Sequence, residues 1–137
     1  MNRFLVFLTL SLSAFVAITA LAGGVALLTG AEDTRFPATW LEGAPFSSYL
    51  IPALLLSVVV GGSSLTAMIL LIRKHPSAWM VVVLAGSSLC AYIGVEVLIL
   101  KQDPPGPTAL EMVYFFLGIL MILPALGIRL SQQTESR

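Results

Sequence analysis

The sequence predicts an all-α fold: a bundle of four transmembrane helices with a short interfacial turn in the first outer loop. Of the 137 residues, 58% are hydrophobic and only 10% are charged, and the apolar residues fall into four long runs. A soluble domain carries about 25% charged residues. The chain has too few charges to cover a surface that faces water, so we expect a single membrane domain over residues 1–137.

Each apolar run is long enough to cross a bilayer. A helix needs roughly 20 apolar residues to span a hydrocarbon core about 30 Å thick. We expect spans at about residues 4–28, 49–72, 77–100 and 108–128. The runs show no strict alternation of apolar and polar residues, which disfavours membrane strands.

The first run has a second interpretation as a signal peptide, because residues 20–22 read "ALA", like a cleavage site. The apolar region of a signal peptide has about 7–15 residues. Here the apolar run continues from Phe4 to about Leu28. We therefore expect it to be retained as a helix.

Lys and Arg residues near the spans predict the orientation. Five of them fall on one side of the predicted membrane and two on the other. Because cytoplasmic loops carry the excess of Lys and Arg, we expect both termini in the cytoplasm of a bacterial inner membrane. The outer loop is then residues 31–48 and the polar cytoplasmic tail residues 129–137. The inner set is Arg3, Arg73, Lys74, Arg129 and Arg137; the outer set is Arg35 and Lys101.

The outer loop contains aromatic residues that suit the headgroup level of a bilayer. Residues 37–43, "PATWLEG", are typical of a short helical turn, with proline at its start and glycine at its end. We expect an interfacial turn that caps the bundle. A lid over a cavity is the alternative.

Small residues recur at about four-residue spacing within the first three spans, which permits close helix packing in lipid. We expect these stripes to bring the first three helices together. We also expect kinks at Pro52 and Pro124, since both prolines lie within spans. The stripes are Thr9, Ser13, Ala17 and Gly24; Ala53, Ser57, Gly61 and Ser64; and Gly86, Cys90 and Gly94.

Glu96 is the only charged residue of the third span and the main candidate for a functional group. It lies five residues before Lys101, about 7 Å along the helix axis. A carboxylate at this depth should face the bundle interior or a water-filled pocket. Tyr92, one turn earlier, is placed to offer its hydroxyl, and Glu111 enters the fourth span at a similar depth.

Three roles for Glu96 remain open. It could be a structural hydrogen-bonding group, it could form a proton or cation site with Glu111, or both could belong to an active site. The third role has the least support, because the sequence contains no recognisable catalytic motif. One cysteine and one histidine disfavour a metal site. The net charge of zero gives no indication of a nucleic-acid partner.

Three stretches of the chain carry a resemblance: "GGVALLTG" ends the first span, "WLEGAPFSSYLIPALLL" leads into the second, and "AYIGVEVLIL" lies in the third. They resemble a family of small bacterial four-helix membrane proteins to which no activity is assigned. The resemblance implies that an outer-loop cluster lies on the same side as Glu96, and Ala53 departs from the glycine of the family pattern. The cluster is Trp40, Pro45, Phe46, Tyr49 and Pro52.

From these observations we expect a non-enzymatic accessory or scaffold component of the membrane. One alternative is a small oligomeric transport protein that uses Glu96 for protons, cations or solutes. The other is a quinone- or lipid-binding redox helper, since the fold is similar to the bundles of DoxX-like and quinone-linked proteins. The expected partners are the lipid bilayer and another membrane protein or further copies of the chain. We expect no cofactor.

Overall fold

Four helices make up the structure, a computed structural model that describes residues 3–29, 49–99 and 107–136. They are α1 (Arg3–Thr29), α2 (Leu50–Ile72), α3 (Ala78–Ile99) and α4 (Ala109–Glu135). The predicted interfacial turn lies outside the described residues. So do Trp40, Pro45 and Phe46 of the outer-loop cluster.

All four helices are long and apolar enough to cross a membrane. The predicted all-α four-helix bundle is confirmed, and the chain is a multi-pass membrane protein. Large apolar side chains cover its outer surface; Leu98, for example, is 85% exposed. Such a surface is stable against lipid, where apolar side chains need no burial inside the protein.

Neighbouring helices in the chain are neighbours in space, and α4 closes the bundle by packing against α1. Phe15 of α1 and Tyr114 of α4 stack with their ring centroids 6.5 Å apart. At the opposite end, the guanidinium of Arg129 lies 4.8 Å from the ring centroid of Trp79, which joins α4 to α3. The central layer is formed by buried side chains from all four helices, among them Val16, Val60, Leu89 and Met121.

The predicted small-residue stripes pack as expected on α1 and α2. A Cβ atom added to Gly24 would overlap the Ser57 hydroxyl and lie 3.0 Å from the Ala53 carbonyl oxygen. Thr9, Ser13 and Ser64 are completely buried. These residues let the two backbones approach closely.

The expectation that the α3 stripe faces α1 and α2 is wrong. Gly86 packs against Gly118, and Cys90 also contacts Gly118, so this stripe faces α4. Gly94 has open space where a side chain would be. Gly118 of α4 supplies the matching small residue, so α3 and α4 approach each other through a glycine on each helix.

Pro52 is the third residue of α2, and the helix continues past it. The backbone N–H groups of the first turn have no acceptor within a helix, so the missing N–H of proline breaks no bond there. The irregular part of α2 follows instead, as a π-helical segment over Leu55–Gly61. Pro124 lies inside α4, which continues through it.

The fourth helix is longer than its predicted span. We expected a polar tail from residue 129, but α4 remains helical through Glu135. Hydropathy identifies the membrane-crossing part of a helix, whereas backbone hydrogen bonds can continue into water. The predicted tail is therefore the exposed last part of α4.

Candidate functional site

A groove of about 270 Å³ lies between α2 and α3. We call it the α2–α3 groove. It is open toward the lipid, because several of its wall residues, such as Val59 and Val95, are exposed on the outer surface. Its lining residues are Pro52, Leu55, Val59 and Val60 of α2 and Ser88, Ala91, Tyr92, Val95, Glu96 and Ile99 of α3.

The α2 wall of the groove comes largely from the π-helical segment. Leu55, Val59 and Val60 line the groove and belong to Leu55–Gly61. A π-helical turn holds one more residue per hydrogen-bonded loop than an α-turn, and such segments often occur at functional sites. The wider turn places these aliphatic side chains along α3.

Glu96 and Tyr92 lie one turn apart on the α3 wall and are polar members of the lining. The Tyr92 hydroxyl is buried and has no hydrogen-bond partner among the residues that the structure describes. The expected bond between Tyr92 and Glu96 is therefore not formed. Among the described residues, the Glu96 carboxylate also has no hydrogen-bond or ion-pair partner. The groove thus contains a carboxylate and a phenol whose hydrogen-bonding capacity is unused within the described parts of the chain.

A second polar group, the hydroxyl of Ser88, lies deeper in the groove. The Ser88 hydroxyl donates to the Ala85 carbonyl oxygen at 2.8 Å and lies 3.4 Å from the Ser63 hydroxyl. From Ser88 to Ile99 the groove follows α3 for about 16 Å, at 1.5 Å per residue. Between Ser88 and the pair Tyr92 and Glu96, the walls are aliphatic.

Glu111 lies near this site but has a structural use. Its carboxylate oxygen Oε2 accepts the Thr108 N–H at 3.0 Å, and its own N–H donates to Thr108 Oγ1 at 3.2 Å. This reciprocal pair is a capping box that starts α4. Glu111 is 3% exposed. The sequence analysis missed the box, although "TALE" at residues 108–111 is its signature.

The ionisable side chains at this end of the bundle lie within electrostatic interaction range of one another. Glu96 interacts electrostatically with Glu111, and Tyr92 interacts with both carboxylates and with Tyr49. The structure therefore brings together the three predicted polar candidates. Only Tyr92 and Glu96 line the groove.

Two members of the outer-loop cluster fall on described residues. Pro52 is one of the residues that line the groove. Tyr49 is the N-cap residue of α2. Pro52 shares the groove lining with Glu96, and Tyr49 interacts electrostatically with Tyr92.

Metal-ligating and nucleophilic groups are sparse. Within residues 3–29, 49–99 and 107–136, no three His, Cys, Asp or Glu side chains are grouped to hold a metal ion. The Cys90 thiol contacts the Phe115 carbonyl oxygen at 3.4 Å across the interface of α3 and α4. This cysteine packs two helices together and does not reach the groove lining.

The chain was compared with known proteins at three levels. No protein-family model, no curated protein and no solved structure matches it. The resemblance drawn from its motifs therefore stays an interpretation, and the function has to be inferred from the groove.

Proposed function

We propose that this membrane protein is a non-enzymatic binding protein for a small amphipathic molecule, of the lipid or quinone class, that enters the α2–α3 groove from the bilayer. One observation carries the proposal. An apolar groove open to lipid has a carboxylate and a phenol at one end, and neither is paired among the described residues.

The size of the groove suits part of a chain-like ligand. Small-molecule sites usually measure about 300–1,000 Å³, and the α2–α3 groove is slightly smaller, at about 270 Å³. Its length along α3 is about half the thickness of a bilayer core. A ligand with one polar head and one slender apolar chain fits these dimensions better than a compact or branched molecule.

The polar end supports ligand binding over a purely structural role. Buried polar groups in native proteins nearly always have a hydrogen-bond partner, and an exception requires an explanation. Tyr92 and Glu96 form no such bond with each other or with other described residues. A ligand head group that lies between them would supply the partner that both side chains need.

The excess of Lys and Arg on one side of the spans supports an outer-leaflet position for this end of the groove. With both termini in the cytoplasm of a bacterial inner membrane, Glu96 faces the outer side. The accessory role in a larger assembly and the transport of cations through an oligomer stay predictions. Either role is compatible with a bound amphipathic molecule.

The test is native mass spectrometry of protein released from nanodiscs of its host lipids. We expect the wild-type chain to retain one lipid-like molecule after the bulk lipid is stripped. Ala91→Leu adds bulk to the groove lining and should abolish this retention. Ser87→Leu is the matched control, because Ser87 is exposed on the same helix outside the groove. Equal retention by both variants, or none by the wild type, contradicts the proposal.

A further inference from the structure

The two ends of the bundle differ in charge. At the end where α2 and α4 begin, which we call the loop end, the acidic and basic residues that the structure describes are Glu96 and Glu111, both acidic. The described Lys, Arg and His residues lie at the opposite end. They are Arg3, Arg73, Lys74, His75 and Arg129. The polar end of the α2–α3 groove therefore lies in the negative half of the described bundle.

We infer that the α2–α3 groove selects a single-chain cationic amphiphile, with an ammonium head at Glu96 and its alkyl chain along the aliphatic walls toward Ser88. This inference rests on the proposed function and specifies its ligand class. Charge complementarity and the shape of the groove carry it.

A positively charged head group would pair with the Glu96 carboxylate, for which the described residues offer no cationic partner. A carboxylate inside a bilayer is costly unless it is paired or takes up a proton. Glu96 has no cationic partner among the described residues, and Glu111 contributes a second negative charge nearby. An ammonium head is attracted to both carboxylates, whereas a phosphate or sulfate head is repelled by both.

The aromatic side chain at this end adds a second attractive contact. Tyr92 lines the groove one turn before Glu96. A cation near the face of a tyrosine ring is attracted by the ring quadrupole, and the attraction is stronger in a desolvated site. A quaternary ammonium, which has no N–H to donate, can use both the carboxylate charge and the ring.

The apolar walls of the groove accommodate the alkyl chain of the ligand but do not select the ligand within the bilayer. Val59, Val60 and Val95 contribute only hydrocarbon to the lining. Burial of an alkyl chain stabilises a complex when the alkyl chain leaves water. This stabilisation is absent when the alkyl chain enters the groove from lipid instead of water. Selectivity within the bilayer therefore comes from the head group.

The experiment compares three probes with the same chain: octyltrimethylammonium, octyl sulfate and octanol. Each is titrated into the full-length protein in nanodiscs of uncharged lipid, and bound copies are counted by native mass spectrometry. We expect one octyltrimethylammonium per chain, bound at least ten-fold more tightly than octanol, and no bound octyl sulfate.

Glu96→Gln should weaken ammonium binding at least ten-fold and change octanol binding far less, because the amide can still form a hydrogen bond with a hydroxyl group. Glu135→Gln, which neutralises a carboxylate at the opposite end of the bundle, is the matched control and should change neither. The preference of the wild-type protein for ammonium over octanol tests the inference even if the Glu96 variant does not fold.

The results separate this inference from the proposed function. If octanol binds as tightly as the ammonium probe and Ala91→Leu blocks both, the groove binds amphiphiles and the charge selection is overturned. If none of the three probes binds, both the groove function and the charge selection are overturned. Preferential binding of octyl sulfate also overturns the inference.

Discussion

Gly86 of α3 and Gly118 of α4 pack backbone against backbone. A Cβ atom on Gly86 would lie 2.6 Å from the Gly118 carbonyl oxygen, and a Cβ atom on Gly118 would lie 2.8 Å from the Gly86 carbonyl oxygen. Neither position has room for a methyl group unless a backbone moves. In lipid, such close approach is a principal source of helix association, so this contact fixes the distance between the two helices.

Gly86→Ala should destabilise the bundle, although alanine is the better helix former. The helix propensity of alanine favours the variant by about 1 kcal/mol. Overpacking in a tight interface costs about 1–3 kcal/mol, and here the obstacle is a carbonyl oxygen of the main chain. We expect a net loss and a lower midpoint of thermal unfolding, measured by circular dichroism in detergent.

Gly94→Ala is the control for this prediction. Gly94 lies on the same helix, and an added Cβ atom there meets no atom within 4 Å. Its unfolding midpoint should be equal to or higher than that of the wild type. A similar loss in both variants would contradict the assignment of the effect to the contact with Gly118.

Ser64→Ala should leave the stability unchanged or raise it by up to about 1 kcal/mol, because the buried Ser64 hydroxyl has no hydrogen-bond partner in the described part of the chain. Thr9→Val is the comparison, since Thr9 Oγ1 donates to the Leu5 carbonyl oxygen at 2.6 Å. Thr9→Val should lower the free energy of unfolding by about 1 kcal/mol. Thermal unfolding of both variants checks the contrast, and a larger loss for Ser64→Ala contradicts it.

Thr108→Ala should loosen the start of α4 without unfolding the bundle. The variant removes the side-chain oxygen that accepts the Glu111 N–H, and loss of such a cap typically costs about 1 kcal/mol. Hydrogen exchange should rise at the first amides of α4 and remain unchanged at its centre. Thr108→Ser keeps the capping oxygen and is expected to restore protection; exchange that rises equally in both variants rules out the cap.

The helix boundaries followed closely from the sequence, whereas the lateral arrangement did not. Predicted spans at 4–28 and 77–100 correspond to α1 (Arg3–Thr29) and α3 (Ala78–Ile99), because polar residues and prolines flank the apolar runs. Small-residue spacing identifies which face of a helix packs, but not which neighbour it meets. The stripe on α3 therefore appeared to belong with α1 and α2, although its partner is Gly118.

The candidate site was only partly predictable for a related reason. Glu96 and Tyr92 stand out as polar residues in an apolar run, and both line the groove. The α2 wall of the groove includes three residues of the π-helical segment Leu55–Gly61. The sequence "LLSVVVG" is equally suited to a regular α-helix. The sequence therefore identifies the polar residues of the site but not the backbone geometry of the wall opposite them.

The Lys and Arg residues that flank the spans predict the orientation of the bundle in the membrane. With five Lys and Arg residues on one side and two on the other, the positive-inside rule places both termini in the cytoplasm. Green fluorescent protein fused after Arg137 should fluoresce, and alkaline phosphatase fused there should be inactive. Phosphatase inserted after Asp103 should be active. The reverse pattern contradicts the orientation and moves Glu96 to the cytoplasmic leaflet.

A charge variant makes the same test quantitative. Arg73→Glu combined with Lys74→Glu removes two of the five inner cations and leaves three against two. Both side chains are exposed in the turn between α2 and α3, so the double variant should still fold. We expect a mixed population in which part of the phosphatase fused after Arg137 becomes active. Neutralising Arg35 and Lys101 instead should strengthen the original orientation, because the outer side then has no competing positive charge.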